Sequence, residues 1–142
     1  MVFPFTRTVS SPDETKKLAS EFSEIINPGI VVVLNGELGS GKTFFVKEIC
    51  KNWGITNVSS PSFAIVNNYS NSRSVYHFDF YRIKKKEELF DIGFNDYINN
   101  KDAVIFIEWG NLINEILPKE RIQVNIKIID DLKRKFVFEK LS

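Results

Sequence analysis

Gly36-Glu37-Leu38-Gly39-Ser40-Gly41-Lys42-Thr43 spells G-x-x-x-x-G-K-[ST], and each fixed position of that pattern has a task around a polyphosphate. Glycines let backbone N–H groups curl around phosphate oxygens with no Cβ in the way. Lys42 can reach the β- and γ-phosphates as a point charge, and the Thr43 hydroxyl can ligate Mg²⁺. The stretch therefore predicts a cradle for a nucleoside triphosphate and its metal.

Such a loop holds Mg²⁺ well only when a carboxylate helps, usually from the end of a neighbouring hydrophobic strand. Glu108 directly follows Val104-Ile105-Phe106-Ile107 and is the first choice; the competing reading is a cap for the next helix. Asp79 is its rival. It lies in His77-Phe78-Asp79-Phe80-Tyr81-Arg82, where period-2 alternation puts His77, Asp79 and Tyr81 on one face. A polar face of that kind can line a site or be the solvated side of a hairpin, and the pattern leaves both open. His77 has no second histidine to share a metal with, so it reads as structural. Ser60-Pro61-Ser62-Phe63 brings two hydroxyls into the interval that nucleotide-sensing switch loops occupy in many P-loop proteins, although a Ser-Pro turn with no role is commoner. Trp109 adjoins the candidate acid, where plain packing is the simplest role. Lys84-Lys85-Lys86 opens a helical stretch whose dipole prefers anions, and reads as a solvated run.

These residues need a strand before the loop and a helix after it. Ile30 to Leu34 is β-branched, short and uninterrupted, as in a strand buried on both faces of a sheet. Behind the loop, Phe45, Ile49 and Trp53 share a helical face, and Gly54 supplies a stop. Upstream, Phe3 to Val9 suits a first strand. Ser11, Pro12 and Glu14 then fit the N-cap, first helical position and reciprocal cap of a helix, with an apolar stripe at Leu18, Phe22, Ile25 and Ile26. Phe63 to Tyr69 and Ser74 to Phe80 flank a polar turn and predict a hairpin. Glu87 to Ile92 reads as a helix ended by Gly93, Val104 to Ile107 as a second buried strand, and Asn111 to Leu117 as a short helix cut by Pro118. Ile122 to Ile128 and Lys135 to Leu141 alternate around Asp130-Asp131 like a half-exposed antiparallel hairpin. The expected fold is a single α/β P-loop domain over residues 1–142, a mainly parallel sheet flanked by helices, with antiparallel hairpins.

Composition limits the partners. Over 142 residues, 43% are hydrophobic and 26% charged, with a net charge of +1. No whole-molecule field is available to drive nucleic-acid or membrane binding. Cys50 is the only cysteine, which excludes an intramolecular disulfide and a thiolate zinc site. Neither a secretory signal nor a membrane-length apolar run is present, so a cytoplasmic location is the expectation.

Taken together, the loop Gly36 to Thr43, Ser60-Pro61-Ser62-Phe63, His77-x-Asp79-x-Tyr81-Arg82, Glu88-x-x-x-x-Gly93 and Glu108-Trp109 resemble one family, TsaE, the bacterial ATPase needed to make threonylcarbamoyladenosine on tRNA. Order and spacing match over nearly the whole chain. Two departures are Ser59 and Ser62, where members commonly read T-S-P-T-F, and Gly110, where many continue E-W-P. The resemblance implies ATP and Mg²⁺ as cofactors, with the metal shared by Thr43 and Glu108. It implies that Asp79, Lys42 and the Ser62 loop form the catalytic region, with Arg82 and Trp109 in support. Adenine would lie near Glu14 and Thr15, with Lys133 or Arg134 close by. Family members work with TsaB and TsaD, which carry out the transfer to tRNA, while ATP hydrolysis resets the complex; tRNA is then reached only indirectly.

Three other readings share the loop. A small-molecule kinase needs an acceptor pocket and usually an Arg-rich lid, whereas the five arginines here are scattered at positions 7, 73, 82, 121 and 134. A GTPase needs N-K-x-D, and Asn100-Lys101-Asp102 has the wrong spacing. A scaffold that binds nucleotide without hydrolysing it is separable only by measuring turnover.

Overall fold

The structure is a computed structural model that describes residues 1–61 and 65–142. Its centre is a seven-stranded sheet in the order β1-β7-β6-β2-β5-β4-β3. The strands are β1 (Phe5–Val9), β2 (Val31–Gly36), β3 (Val66–Ser70), β4 (Ser74–Asp79), β5 (Ala103–Glu108), β6 (Arg121–Ile128) and β7 (Arg134–Leu141). The pairs β2·β5, β2·β6 and β4·β5 are parallel, while β1·β7, β3·β4 and β6·β7 are antiparallel. A parallel centre with antiparallel edges is the architecture that the alternating and continuous apolar runs predict.

Helices cover both faces, and strand parity sorts the core between them. Val32 and Leu34 of β2, with Val104 and Phe106 of β5, face α1 (Pro12–Ile25) and α2 (Lys42–Lys51). There Leu18, Phe22, Phe45 and Ile49 are fully buried. Val31 and Val33, with Ile105 and Ile107, face the opposite side, where α3 (Glu87–Asp91), α4 (Phe94–Ile98) and a 3-10 segment (Gly110–Ile116) cover them. Among the described residues no helix is long and apolar enough to cross a membrane.

Local signals hold well at α1, whose N-cap Ser11 accepts a hydrogen bond from the Glu14 N–H at 3.1 Å, with Pro12 in the first turn. Elsewhere the structure corrects the reading. The first strand starts at Phe5 rather than Phe3. Glu87 to Ile92 shortens to one turn, and Gly93, at φ 82°, leads straight into a second turn, α4. Turns this brief carry too few residues for periodicity to register. The helix expected over Asn111 to Leu117 is 3-10 and broken at Ile113. The hairpin's start at Phe63 lies outside the described residues.

Candidate functional site

The loop begins where β2 ends. Gly36 sits so close to Ile126 that a Cβ there would approach its carbonyl oxygen to 2.8 Å, which excludes any side chain. Gly39 and Gly41 have φ of +80° and +102°, the left-handed region that glycine tolerates, and nothing lies within 4 Å of where their Cβ atoms would be. The concave side is therefore open. Ser40, just beside it, keeps a buried hydroxyl with no hydrogen-bond partner among the described residues. Lys42, 5% exposed, directs Nζ to the carbonyls of Gly36 at 2.6 Å and Glu37 at 3.1 Å. The indole of Trp109 covers the same ammonium at 4.1 Å from its ring centroid, a cation–π contact. Burial lowers the Lys42 pKa, and the Glu108 and Asp79 carboxylates oppose that shift.

Both acids stand at the ends of neighbouring strands. Parallel pairing of β4 with β5 sets Asp79 opposite Glu108, and β5 lies beside β2, which carries the loop. Glu108 is buried at 3% exposure. Its Oε1 and Oε2 lie 2.9 and 2.8 Å from the Thr43 hydroxyl. Ser60 Oγ is 2.7 Å from that same hydroxyl. The helix-cap reading of Glu108 fails, because no side chain caps the 3-10 segment that follows. One oxygen of Asp79 accepts the Tyr81 N–H at 2.9 Å. Burial raises the Asp79 pKa, and the Tyr81 hydrogen bond pulls it the other way.

The question left open by the alternating polar face of β4 is answered by parity. Val75 belongs to the core beneath α2, so His77 and Asp79 turn toward the N-terminus of α2 instead of solvent. His77 is fully buried, and its Nε2 lies 2.5 Å from Glu108 Oε2.

These groups line one cavity of about 520 Å³, formed by Leu38, Gly39, Gly41, Lys42, Thr43, Phe44, Ser60, Pro61, Asp79, Tyr81, Arg82, Glu108 and Trp109. A second cavity, about 140 Å³, shares Gly39, Gly41 and Phe44 with it and continues past Ser40 to Thr15, Asp131 and Arg134. Arg134 also ties down the β6–β7 turn by donating to the Asp130 carbonyl at 2.7 Å. Glu14 is exposed and does not line either cavity; Ser62 lies outside the described residues.

Matched against models of known families, residues 9–136 fit "Threonylcarbamoyl adenosine biosynthesis protein TsaE". The chain belongs to the TsaE family. Relatives named tRNA threonylcarbamoyladenosine biosynthesis protein TsaE include one from Rickettsia prowazekii, 41% identical over 130 residues, covering 89% of each chain. Another, from Bacillus subtilis, is 40% identical over 134 residues, covering 93% of this chain and 82% of its own. The crystal structure of Bacillus subtilis YdiB superposes with a TM-score of 0.81 at 32% identity, covering 100% of this chain and 88% of that one.

Within this TsaE-family chain, Glu88 accepts the backbone N–H groups of Lys84 and Lys85 at 2.8 and 3.2 Å. Those bonds lower the Glu88 pKa and place an anion where the helix dipole favours one. The lysine side chains stay exposed. Sequence reasoning missed the His77–Glu108 bond and the tilted contact of Tyr81 with Trp109, ring centroids 4.9 Å apart. Parity of Val104 to Glu108 against Val75 to Asp79 was the signal that could have found the first. Nothing in the sequence points to the second, because Trp109 takes the left-handed backbone (φ 60°) that swings its ring over the loop.

Proposed function

We propose that this protein is a Mg²⁺-dependent ATPase that supports threonylcarbamoyladenosine formation on tRNA, acting with a TsaB–TsaD pair and hydrolysing ATP to sustain their turnover. The observation that carries the reading is the convergence of Lys42, Thr43, Asp79 and Glu108, from α2, β4 and β5, on one cavity beside an open glycine cradle. The residues fit the groups they would hold. Open Cβ positions at Gly39 and Gly41 leave room for phosphate oxygens, and the unpartnered Ser40 hydroxyl faces the same loop region.

Among the described residues no group of three or more His, Cys, Asp or Glu could cage a cation alone. That suits Mg²⁺, which is usually held by one or two protein ligands together with substrate phosphates. Thr43 and Glu108 would hold it, and when bound it would neutralise charge on the β- and γ-phosphates. Lys42 adds a positive charge to the same phosphates once it leaves the Gly36 and Glu37 carbonyls. Asp79 has one oxygen committed to Tyr81, which among the described residues leaves the other to orient a water, and its raised pKa makes it a better proton acceptor. Trp109 covers the Lys42 ammonium on that side and is touched in turn by Tyr81. The adenosine would extend along the smaller cavity toward Thr15 and Arg134. A family setting in tRNA modification supports hydrolysis that drives a partner rather than phosphorylates a small molecule.

A reconstituted assay counts threonylcarbamoyladenosine formed per TsaB–TsaD complex, with ATP, in the presence of the wild type or Lys42→Ala. Many modifications per complex are expected with the wild type and about one with the variant or without the protein. Equal multiple turnover in all three would refute the role. Phosphate transfer to any member of an acceptor panel would instead favour a kinase.

A further inference from the structure

We propose that His77 is a positioning residue for the metal-side carboxylate: its Nε2–H pins Oε2 of Glu108, so that the other oxygen and the Thr43 hydroxyl keep a fixed geometry toward the cation. The inference rests on the Mg²⁺ site proposed above.

A glutamate at a strand end has three side-chain torsions to fix, and the partners of Glu108 do not fix them equally. The Thr43 hydroxyl lies 2.9 Å from Oε1 and 2.8 Å from Oε2, yet it has a single proton and can fully satisfy only one of them. Ser60 Oγ lies 2.7 Å from that hydroxyl, and either of the two oxygens can be the donor. Among the described residues His77 is the other hydrogen-bond partner of the carboxylate, 2.5 Å from Oε2. It is also held far more firmly. Its backbone lies within the sheet, paired with Phe106 on one side and Asn67 on the other. The ring is fully buried and packs against Tyr69, with centroids 6.2 Å apart.

The unused nitrogen shows which way the ring works. Nδ1 is buried and has no hydrogen-bond partner among the described residues. An N–H there would be a buried orphan donor, whereas a lone pair is tolerated more readily. The proton therefore sits on Nε2 and is donated to Glu108. An imidazole kept only for packing would be matched by an apolar ring without an orphaned nitrogen, so the one side-chain hydrogen bond that His77 makes among the described residues is the reason for a histidine at this position.

The test compares His77→Phe, which keeps a ring but donates nothing, with His77→Gln, whose side-chain amide can present an N–H at a similar reach. Titration calorimetry measures ATP binding without divalent ions and across a MgCl₂ series, and near-UV circular dichroism reports folding. His77→Phe is expected to need about tenfold more Mg²⁺ for the metal-dependent gain in ATP affinity, with metal-free affinity within about twofold of wild type. His77→Gln should restore most of the Mg²⁺ response. An unchanged Mg²⁺ response in His77→Phe, an equal loss in both variants, or a parallel loss of metal-free binding would overturn the inference alone. A wild type whose ATP affinity ignores Mg²⁺ would remove the metal site itself, and this inference with it. Folding of His77→Phe is not essential to the test. His77 is the only histidine, so its ring signals in a nitrogen–proton correlation spectrum of the wild type need no assignment. A proton on Nε2 is expected, and a tautomer carrying it on Nδ1 alone overturns the proposal.

Discussion

Lys42 makes its bonds to the backbone of its own loop and to the face of Trp109, while the apolar core lies elsewhere. Lys42→Ala should therefore lower ATP affinity at least about tenfold, the equivalent of losing one charge-assisted contact. Its melting temperature should change little, and calorimetry with a thermal scan checks both. The two acids separate in the same way. Glu108→Gln keeps the volume but weakens the ligand, so the Mg²⁺ dependence of ATP binding should decline. Glu108→Ala should in addition destabilise the fold by about 1 to 3 kcal/mol, because it strands the buried Nε2 of His77. Asp79→Asn should slow hydrolysis more than it weakens binding; the opposite pattern would exchange the two roles. Trp109 lies over Lys42, whereas Trp53 packs under Arg73 and against Phe106. Fluorescence of Trp53→Phe should still respond to ATP, and a response confined to Trp109→Phe would move the site.

Element-scale effects follow from how α1 and α2 sit on the sheet. Phe45 is fully buried and touches Phe22, Phe136 and Phe138, with ring centroids 5.9, 4.9 and 6.0 Å away. Truncating it should cost about 3 to 5 kcal/mol in a denaturant titration and loosen the helix that presents Thr43. Ser11→Ala removes one bond at an exposed helix start, worth about 1 kcal/mol, and should leave ATP binding intact. The contrast between these variants separates what holds α2 in place from what merely starts α1.

At the scale of the whole molecule, the sheet joins the β2–α2 unit, the central strand β5, two antiparallel hairpins and the edge strand β1 so that both acids and the loop meet at the ends of adjacent parallel strands. Nucleotide bound across that junction stabilises the folded state by mass action. At about 100 times its dissociation constant the gain is about 2.7 kcal/mol, or roughly 5 to 10 °C in melting temperature for a chain this size. Mg²⁺ with ATP should give that shift in wild type and not in Lys42→Ala. A shift of equal size in the variant would mean that the ligand binds elsewhere.

The sequence by itself determined what depends on contiguous residues. The loop Gly36 to Thr43 is legible because its chemistry is local, and α1, β2, β5 and the β6–β7 hairpin because caps, buried runs and alternation are local signals too. The carboxylate after Val104 to Ile107 is legible because strand ends meet P-loops by topology. Only the tertiary structure decided which way the polar face of β4 turns. His77 and Glu108 are 31 residues apart, and their contact depends on the register of β4 against β5 and on the placement of α2. Trp109 over Lys42 depends likewise on one left-handed residue, and the paired one-turn helices α3 and α4 on the core they cover. Contacts between residues distant in sequence leave no periodic trace in a single chain, so packing alone could reveal them.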